Sequence, residues 1–325
     1  MGTKERLLSL LEQHKGEYLS GEDLASRLQV SRTAVWKAVN ALRGAGYGID
    51  AVQNRGYCLD VHTDILSLEG IRQRLEPRWQ SLSLELVPCT ASTNALVRER
   101  SGSGAEEGLV ILANQQTRGR GRLGREFYSP PDTGIYMSLL LRPQDLEPSQ
   151  AVKITTMAAV AACRAIEAVS GREPKIKWVN DIFLNGKKVC GILTEGSYSL
   201  ESGKLDDVIP GIGFNVYPPA GGFPEALSEI AGAILPQQLE DGKNRLAASF
   251  LNHFLSIYHD AEDYASEYRS RSLVIGRSIR VNSPAGTRRA YALDVDRDCR
   301  LIVRYEDGSV DTLSSAEVSI QDDAL

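Results

Sequence analysis

An apolar run at residues 109–113 (LVILA) passes directly into QTRGRGRLGR at 116–125. The run reads as a buried strand. The segment after it holds four arginines and three glycines, too many glycines to continue either a helix or a strand. Glycine lets backbone N–H groups approach a ligand closely, and arginine is a fixed fork for carboxylate or phosphate oxygens. The chain must therefore fold so that a strand delivers an anion-holding loop. About sixty residues on, Lys177-Trp178-Val179-Asn180-Asp181 and then Gly186-Lys187-Lys188 supply further cations and one acid. Together these segments predict chemistry on a phosphoryl or acyl-phosphate compound.

The remaining pattern predicts an α+β multidomain protein. In residues 1–62, Leu7, Leu8 and Leu11 have helical spacing. Ser20 caps a second helix, with Asp23 in place of the usual Glu or Gln of a capping box, and Ser31 caps a third that holds Thr33, Val35, Trp36, Val39 and Leu42. Strand-like segments at 49–52 and 57–59 flank a turn at 53–56. Three helices and a hairpin make a winged helix-turn-helix. Residues 63–271 mix strands (83–87, 109–113, 135–141, 176–178, 189–195, 208–215) with an alanine-rich helix at 154–169 and a helical region at 243–271. The strands at 176–178 and 189–195 are expected to flank a turn at Asn185-Gly186. Residues 272–325 carry short strands (278–281, 289–293, 301–305, 310–313) with a hairpin signal at Asp307-Gly308, and predict a small β-barrel.

A net charge of -5 excludes polyanion binding by bulk electrostatics, so any nucleic-acid surface must be local. In residues 1–62, eight Lys and Arg face seven Asp and Glu. The cations Arg32, Lys37, Arg43 and Arg55 gather on the third helix and the wing. Ser31, Arg32, Thr33, Trp36 and Lys37 open the candidate recognition helix and Arg55 sits in the wing, which makes these six the candidate DNA contacts; the competing reading is a docking domain. Five scattered cysteines without a CxxC pair imply neither a disulfide framework nor a structural zinc, and point to reduced cytoplasmic thiols. No apolar run reaches bilayer length. The four histidines are scattered and carry no chemistry in this reading.

Four motifs in order, Thr90-Ala91-Ser92-Thr93-Asn94, GRGRLGR at 119–125, KWVNDIFLNGKKVCGILTE at 177–195 and Gly211-Ile212-Gly213-Phe214-Asn215, resemble the bacterial biotin–protein ligases. The helix-turn-helix and terminal barrel resemble the bifunctional form, ligase plus biotin operon repressor. The resemblance spans essentially the whole chain. It implies a winged helix-turn-helix at 1–62, a mixed α/β catalytic domain of the biotin/lipoate ligase type at 63–271 and an SH3-like barrel at 272–325. It also implies the reaction: biotin and ATP, with Mg2+, give biotinyl-5′-AMP, whose acyl group passes to a lysine of a biotin acceptor domain of a carboxylase. Operator DNA and a homodimer formed by the adenylate-bound protein are the further partners implied, with no membrane.

The same resemblance implies residue roles. Ser92, Thr93, Asn94, Gln116, Gly119, Gly121 and Gly191 should hold biotin, with Arg120 and Arg122 at its carboxylate and the phosphates. Residues 119–125 should close over the adenylate. Lys188 should meet both the reacting carboxylate and the α-phosphate. Arg122, Arg125, Phe127, Asn180, Lys188 and Asn215 should line the nucleotide site, and Asp181 should stand near the metal and the incoming lysine. Blander readings compete at several positions: Ser92–Asn94 as a helix N-cap, Trp178 as core, Asp181 as a turn residue capping its own backbone. Cys190 reads as a small buried apolar residue. Val179 stands where the family usually has Pro, which restores a backbone N–H and predicts altered local rigidity rather than lost activity. A ligand sensor without catalysis and a lipoate–protein ligase are the alternatives; the arginine loop disfavours the second.

Overall fold

The computed structural model describes residues 2–143, 151–198, 205–260, 262–283 and 286–320. The chain divides into two compact units, residues 1–81 with 237–249, and residues 82–236 with 250–325.

The first unit begins with helices α1 (Thr3–Gln13), α2 (Gly21–Leu28) and α3 (Arg32–Gly44), followed by the antiparallel hairpin β1 (Ile49–Val52) and β2 (Gly56–Leu59) and the short helix α4 (Leu68–Arg72). Leu7, Leu11, Leu24, Val35, Val39, Leu42 and Leu59 close one apolar core. Both serine caps form, Ser20 Oγ accepting from Asp23 N at 3.0 Å and Ser31 Oγ from Ala34 N at 3.2 Å. The expected capping box is only half made, because the Asp23 carboxylate turns outward to Arg27 Nε, 3.0 Å away. Gly56, at φ 105°, opens the second hairpin strand, where a Cβ would collide with the Leu19 carbonyl. Arg43, expected to add to the basic face, instead donates through Nε and Nη2 to the Ile49 carbonyl and fastens the hairpin to α3. Residues past the hairpin are stitched into this unit: Asn244 Oδ1 accepts from Ser67 N at 2.9 Å, and Lys15 Nζ lies 3.2 Å from Asp241 Oδ1.

The second unit contains a seven-stranded mixed sheet. Its strands are β3 (Leu84–Val87), β4 (Val110–Ala113), β5 (Gly134–Leu139), β6 (Lys175–Lys177), β7 (Asp181–Leu184), β8 (Lys187–Tyr198) and β9 (Leu205–Asn215), in the order β3-β4-β5-β9-β8-β7-β6. Among the described residues, β3–β4 is the one parallel pair of named strands in this sheet. Helices α5 (Thr93–Gly102) and α6 (Val152–Ser170) pack on it. Five alanines of α6, Ala158, Ala159, Ala161, Ala162 and Ala165, are fully buried, so the helix axis can lie close to the strands. Gly171, in the left-handed region at φ 67°, ends α6. The short helix α7 (Glu225–Ser228) follows β9.

Sequence periodicity misassigned some of this region. Asp181–Leu184 is a strand, and the Asn185-Gly186 turn joins it to β8 rather than joining β6 to β8. The helical region expected at 243–271 is two helices, α8 (Gly242–Asp260) and α9 (Ala265–Ser270), with residue 261 outside the described set.

The terminal segment forms β10 (Ser278–Ser283), β11 (Gly286–Val295), β12 (Leu301–Tyr305), β13 (Val310–Leu313) and β14 (Glu317–Ile320). They make an antiparallel sheet ordered β13-β12-β11-β10-β14. The Asp307-Gly308 hairpin is present between β12 and β13, and β14 was not anticipated. The expected small β domain is observed as a five-stranded antiparallel sheet.

Candidate active site

The site lies in the second unit, where the start of α5, the arginine loop and strands β7, β8 and β9 surround a cavity of about 150 Å³. Its floor is backbone. Gly191 on β8 and Gly213 on β9 are cross-strand partners, and the Phe127 ring lies across both. A Cβ at Gly191 would stand 3.0 Å from Phe127 Cε2, and one at Gly213 would collide with that ring. A Cβ at Gly211 would collide with the Asn94 amide. These glycines leave the space that the aromatic ring and the amide occupy.

The wall from α5 is polar and buried; Ser92, Thr93 and Asn94 are each under 5 % exposed. Ser92 does occupy the N-cap position, yet its side chain makes no capping hydrogen bond. Gln116 does that work instead: its Oε1 accepts from Thr93 N at 2.8 Å and its Nε2 donates to Ser129 Oγ at 3.1 Å. The plain N-cap reading therefore fails for the Ser92 hydroxyl. Gln116 lines the cavity but spends its amide on the scaffold.

Residues 119–127 form a pinned loop. Phe127 N donates to Gly119 O at 2.9 Å, the backbones of Arg120 and Glu126 form an antiparallel bridge, and Gly121 N donates to Arg125 O at 2.7 Å. Gly119 is fixed by contact, since a Cβ there would strike the Phe127 carbonyl; it supports the loop from outside the cavity lining. At the tip Leu123 and Gly124 are left-handed, at φ 56° and 74°, and Leu123 is 74 % exposed. Arg120, Gly121, Arg122, Arg125 and Phe127 all line the cavity. Arg122 donates to Asn180 Oδ1 at 3.3 Å and to the Ala316 carbonyl at 3.2 Å, while Arg125 pairs with Glu317 at 2.5 Å.

Strands β7 and β8 bring up the remaining chemistry. Asn180 exchanges bonds with Ile192, Nδ2 donating to its carbonyl at 2.8 Å and the carbonyl of Asn180 accepting from Ile192 N at 3.0 Å. That leaves its Oδ1 for Arg122. Asp181 is the first residue of β7, not a turn residue, and its Oδ1 lies 2.6 Å from Lys188 Nζ. The approach lacks hydrogen-bond geometry, so this buried oxygen has no hydrogen-bond partner. The Lys188 backbone is fixed by Lys188 N donating to Ile230 O and Gly232 N donating to Lys188 O. Trp178 is core as well as lining, 3 % exposed with Nε1 donating to Cys299 O at 2.9 Å. The Trp178–Val179 peptide is cis. Asn215 Nδ2 lies 3.5 Å from the Lys188 carbonyl. Cys190 is fully buried, and burial pushes its thiol well above the ordinary range, as expected of a packing residue.

Thirteen of the residues expected at the ligand thus share one lining, and Gly119 and Asn215 stand just outside it. Four contributors were not read from the sequence. Ser138, fully buried on β5, meets both Thr93 and Asn94, and a lone serine in an apolar strand gives a weak signal. Glu195 receives Asn94. Glu317 and Val318 of β14 line the cavity from more than a hundred residues away in sequence, a placement no local pattern encodes. Among the described residues no cluster of three or more His, Cys, Asp or Glu side chains is arranged to hold a metal. The Asp181 oxygen, ion-paired with Lys188 but without a hydrogen bond, suits a magnesium ion held by one carboxylate together with substrate phosphates.

In the first unit, Ser31, Arg32, Thr33, Trp36, Lys37 and Arg55 are all exposed. Trp36 is 55 % exposed, which is unusual for so large an apolar side chain. Arg55 lies 4.0 Å above the Tyr18 ring.

Residues 3–58 match the HTH domain family, residues 86–215 the Biotin/lipoate A/B protein ligase family, and residues 274–320 the Biotin protein ligase C terminal domain. The chain is 34 % identical over 326 residues to the bifunctional ligase/repressor BirA of Bacillus spizizenii, with 98 % of each chain covered. It is also 34 % identical over 230 residues to the biotin–[acetyl-CoA-carboxylase] ligase of Mycobacterium tuberculosis, covering 67 % of this chain and 82 % of that one. Among solved structures, the biotin protein ligase of Aquifex aeolicus in complex with biotin and ATP has a similar fold, at TM-score 0.60 and 23 % identity over 74 % of this chain and 98 % of that one. No helix of the described residues is long and apolar enough to cross a membrane.

Proposed function

The chain belongs to the bifunctional biotin–protein ligase/repressor family, and from that premise we propose that it joins biotin to AMP and then to protein. Biotin and ATP give biotinyl-5′-AMP and pyrophosphate. The biotinyl group then passes to a lysine of the acceptor domain of a biotin-dependent carboxylase. With biotinyl-AMP as corepressor, the winged helix-turn-helix binds operator DNA.

The observation that carries this reading is the convergence of Arg120, Arg122, Lys188 and Asp181 on one cavity floored by Gly191, Gly211 and Gly213. In the first step a biotin carboxylate oxygen forms a bond to the α-phosphorus and the bond to pyrophosphate breaks. Two anions must meet, and fixed cations offset their repulsion and stabilise the charge that spreads in the transition state, at about 3 kcal/mol for a well-placed donor. Arg120 and Arg122 hold the carboxylate. Lys188 spans carboxylate and α-phosphate. Arg125, Phe127 and Asn180 are the nucleotide contacts, and Ser92, Thr93 and Asn94 face the biotin head. A magnesium ion carried by the triphosphate and met by Asp181 would neutralise the departing pyrophosphate. In the second step the acceptor amine attacks the acyl carbon and AMP leaves, with Asp181 placed to orient that amine and take its proton. No enzyme nucleophile is required.

The division into 1–62, 63–271 and 272–325, a cytoplasmic location and a homodimer of the adenylate-bound form belong to the same proposal. A two-fold dimer matches paired DNA half-sites. The test is incorporation of labelled biotin into an acceptor domain in the presence of ATP. Incorporation that requires both ATP and the acceptor lysine supports the reading, and none with well-folded protein ends it.

A further inference from the structure

Glu195, on β8, takes no part in the roles given above. Its carboxylate accepts from Asn94 Nδ2 at 2.8 Å and stands 3.3 Å from Arg98 and 3.8 Å from Arg120. Asn94 also donates to the Leu193 carbonyl at 3.2 Å, and its Oδ1 lies 2.6 Å from Ser138 Oγ. Ser138 Oγ is 2.7 Å from Thr93 Oγ1, which is 3.2 Å from Gln116 Oε1. Gln116 Nε2 donates to Ser129 Oγ, and Ser129 Oγ donates to the Phe127 carbonyl at 2.9 Å. A line of polar contacts therefore runs along the cavity wall from Glu195 to the stem of the arginine loop, two hydroxyl protons being shared among the three contacts of Asn94, Ser138, Thr93 and Gln116. The second oxygen of Glu195 returns to that loop at Arg120.

An ionised carboxylate can only accept. Glu195 and the Leu193 carbonyl together hold the Asn94 amide with its nitrogen toward β8 and its oxygen toward Ser138. On its other side Glu195 is the ion-pair partner of Arg120 among the described residues. Arg120 is more than half exposed, so little else restricts its long side chain. One carboxylate thus binds a residue of the polar wall and lies within ion-pair distance of a cation of the loop.

We infer that Glu195 is a positioning residue for the carboxylic acid substrate, setting Asn94 at the head-group end and Arg120 at the carboxylate end. The inference rests on the ligase reading and extends it to what selects the acid's length. A substrate gains from both ends only if its head and its carboxylate match that spacing.

The test is steady-state adenylation, read as pyrophosphate release, with calorimetric titration of biotin alone, on the full chain. Glu195→Gln, which keeps the size and removes the charge, raises the biotin KM by about tenfold, the scale of one charge-assisted hydrogen bond, and leaves kcat and the ATP KM within about threefold. Glu195→Asp, which keeps the charge but shortens its reach, lies between the two. In an Arg120→Ala background Glu195→Gln costs less than it does alone, because one of its partners has gone while Asn94 remains. An unchanged biotin KM in both Glu195 variants overturns the inference. So does a uniform loss in kcat and both KM values, or full additivity with Arg120→Ala. Wild-type protein that binds no biotin in the same titration would bring down the ligase reading itself, and this inference with it.

Discussion

Lys188 Nζ stands 2.6 Å from Asp181 Oδ1 across the β7–β8 turn, close enough for an ion pair but without hydrogen-bond geometry. Neither group is fully satisfied by the other, which leaves both available to a substrate. Lys188→Ala is expected to lower pyrophosphate release by about 10²–10³-fold, the usual loss for one oxyanion-stabilising donor. The fold should survive, because the lysine side chain is about a quarter exposed. Asp181→Asn should slow transfer to the acceptor lysine more than it slows adenylation. Separate single-turnover measurements of the two steps would check this; equal losses in both would remove Asp181 from the second step.

Arg122 ties the loop to Asn180 and to the Ala316 carbonyl. Arg122→Ala removes both tethers and one cation from the cavity. Adenylation should fall by about 10²-fold or more, while the urea midpoint changes little, as is usual for a side chain outside the core. Near-normal pyrophosphate release by this variant would contradict its assigned role.

Trp36 and Lys37 lie exposed on α3, in a different compact unit from the cavity. Lys37→Ala should weaken DNA binding for all sequences and reduce the slope of log K against log salt by about 1. Trp36→Ala should lower operator affinity and leave biotin transfer unchanged. Filter binding over a salt series, run beside the ligase assay, reads both.

Glu12 is buried near Lys15, Arg74, Asp241 and Glu69, and burial is the main cause that raises its carboxyl above the ordinary 4.5. The folded value therefore lies above the unfolded one. Stability from this group is fully present below about pH 4.5 and is lost as pH rises through the raised folded value. Glu12→Gln should remove that dependence. The stability difference between Glu12→Gln and wild type should be most favourable to the variant near neutral pH and shrink steadily toward pH 4.5. Urea midpoints at several pH values check it, and parallel curves would contradict it.

Much of this was legible in the sequence for local reasons. Ser20 and Ser31 announced helix starts because a cap is a three-residue event, and Leu7, Leu11, Leu24 and Leu28 kept the helical period. The arginine loop was legible because glycines and arginines at that density have little other use. Asp181–Leu184 was missed because a four-residue strand between an asparagine and a turn offers too short an alternation to register. The long helical region at 243–271 kept its apolar content across a break, so periodicity alone could not divide it. Arg43 counted toward the basic face of the third helix, but its guanidinium is turned back onto the Ile49 carbonyl.

The site was legible in its charged residues and not in its supports. Lys188 and Asp181 lie seven residues apart and come together because a tight turn folds β7 on β8. Asn215, expected at the nucleotide, has its Nδ2 3.5 Å from the Lys188 carbonyl on β8. Ser138, Glu195 and Glu317 reach the site through tertiary pairing of β5, β8 and β14 with distant segments, which leaves no mark on spacing along the chain.

The most direct measurement is a crystal of the full chain soaked with biotin and ATP. The account predicts biotinyl-5′-AMP in the cavity over Gly191 and Gly213, its acyl-phosphate within hydrogen-bond reach of Arg122 and Lys188. An adenylate bound elsewhere, with those two side chains still held by Asn180 and Asp181, would contradict it.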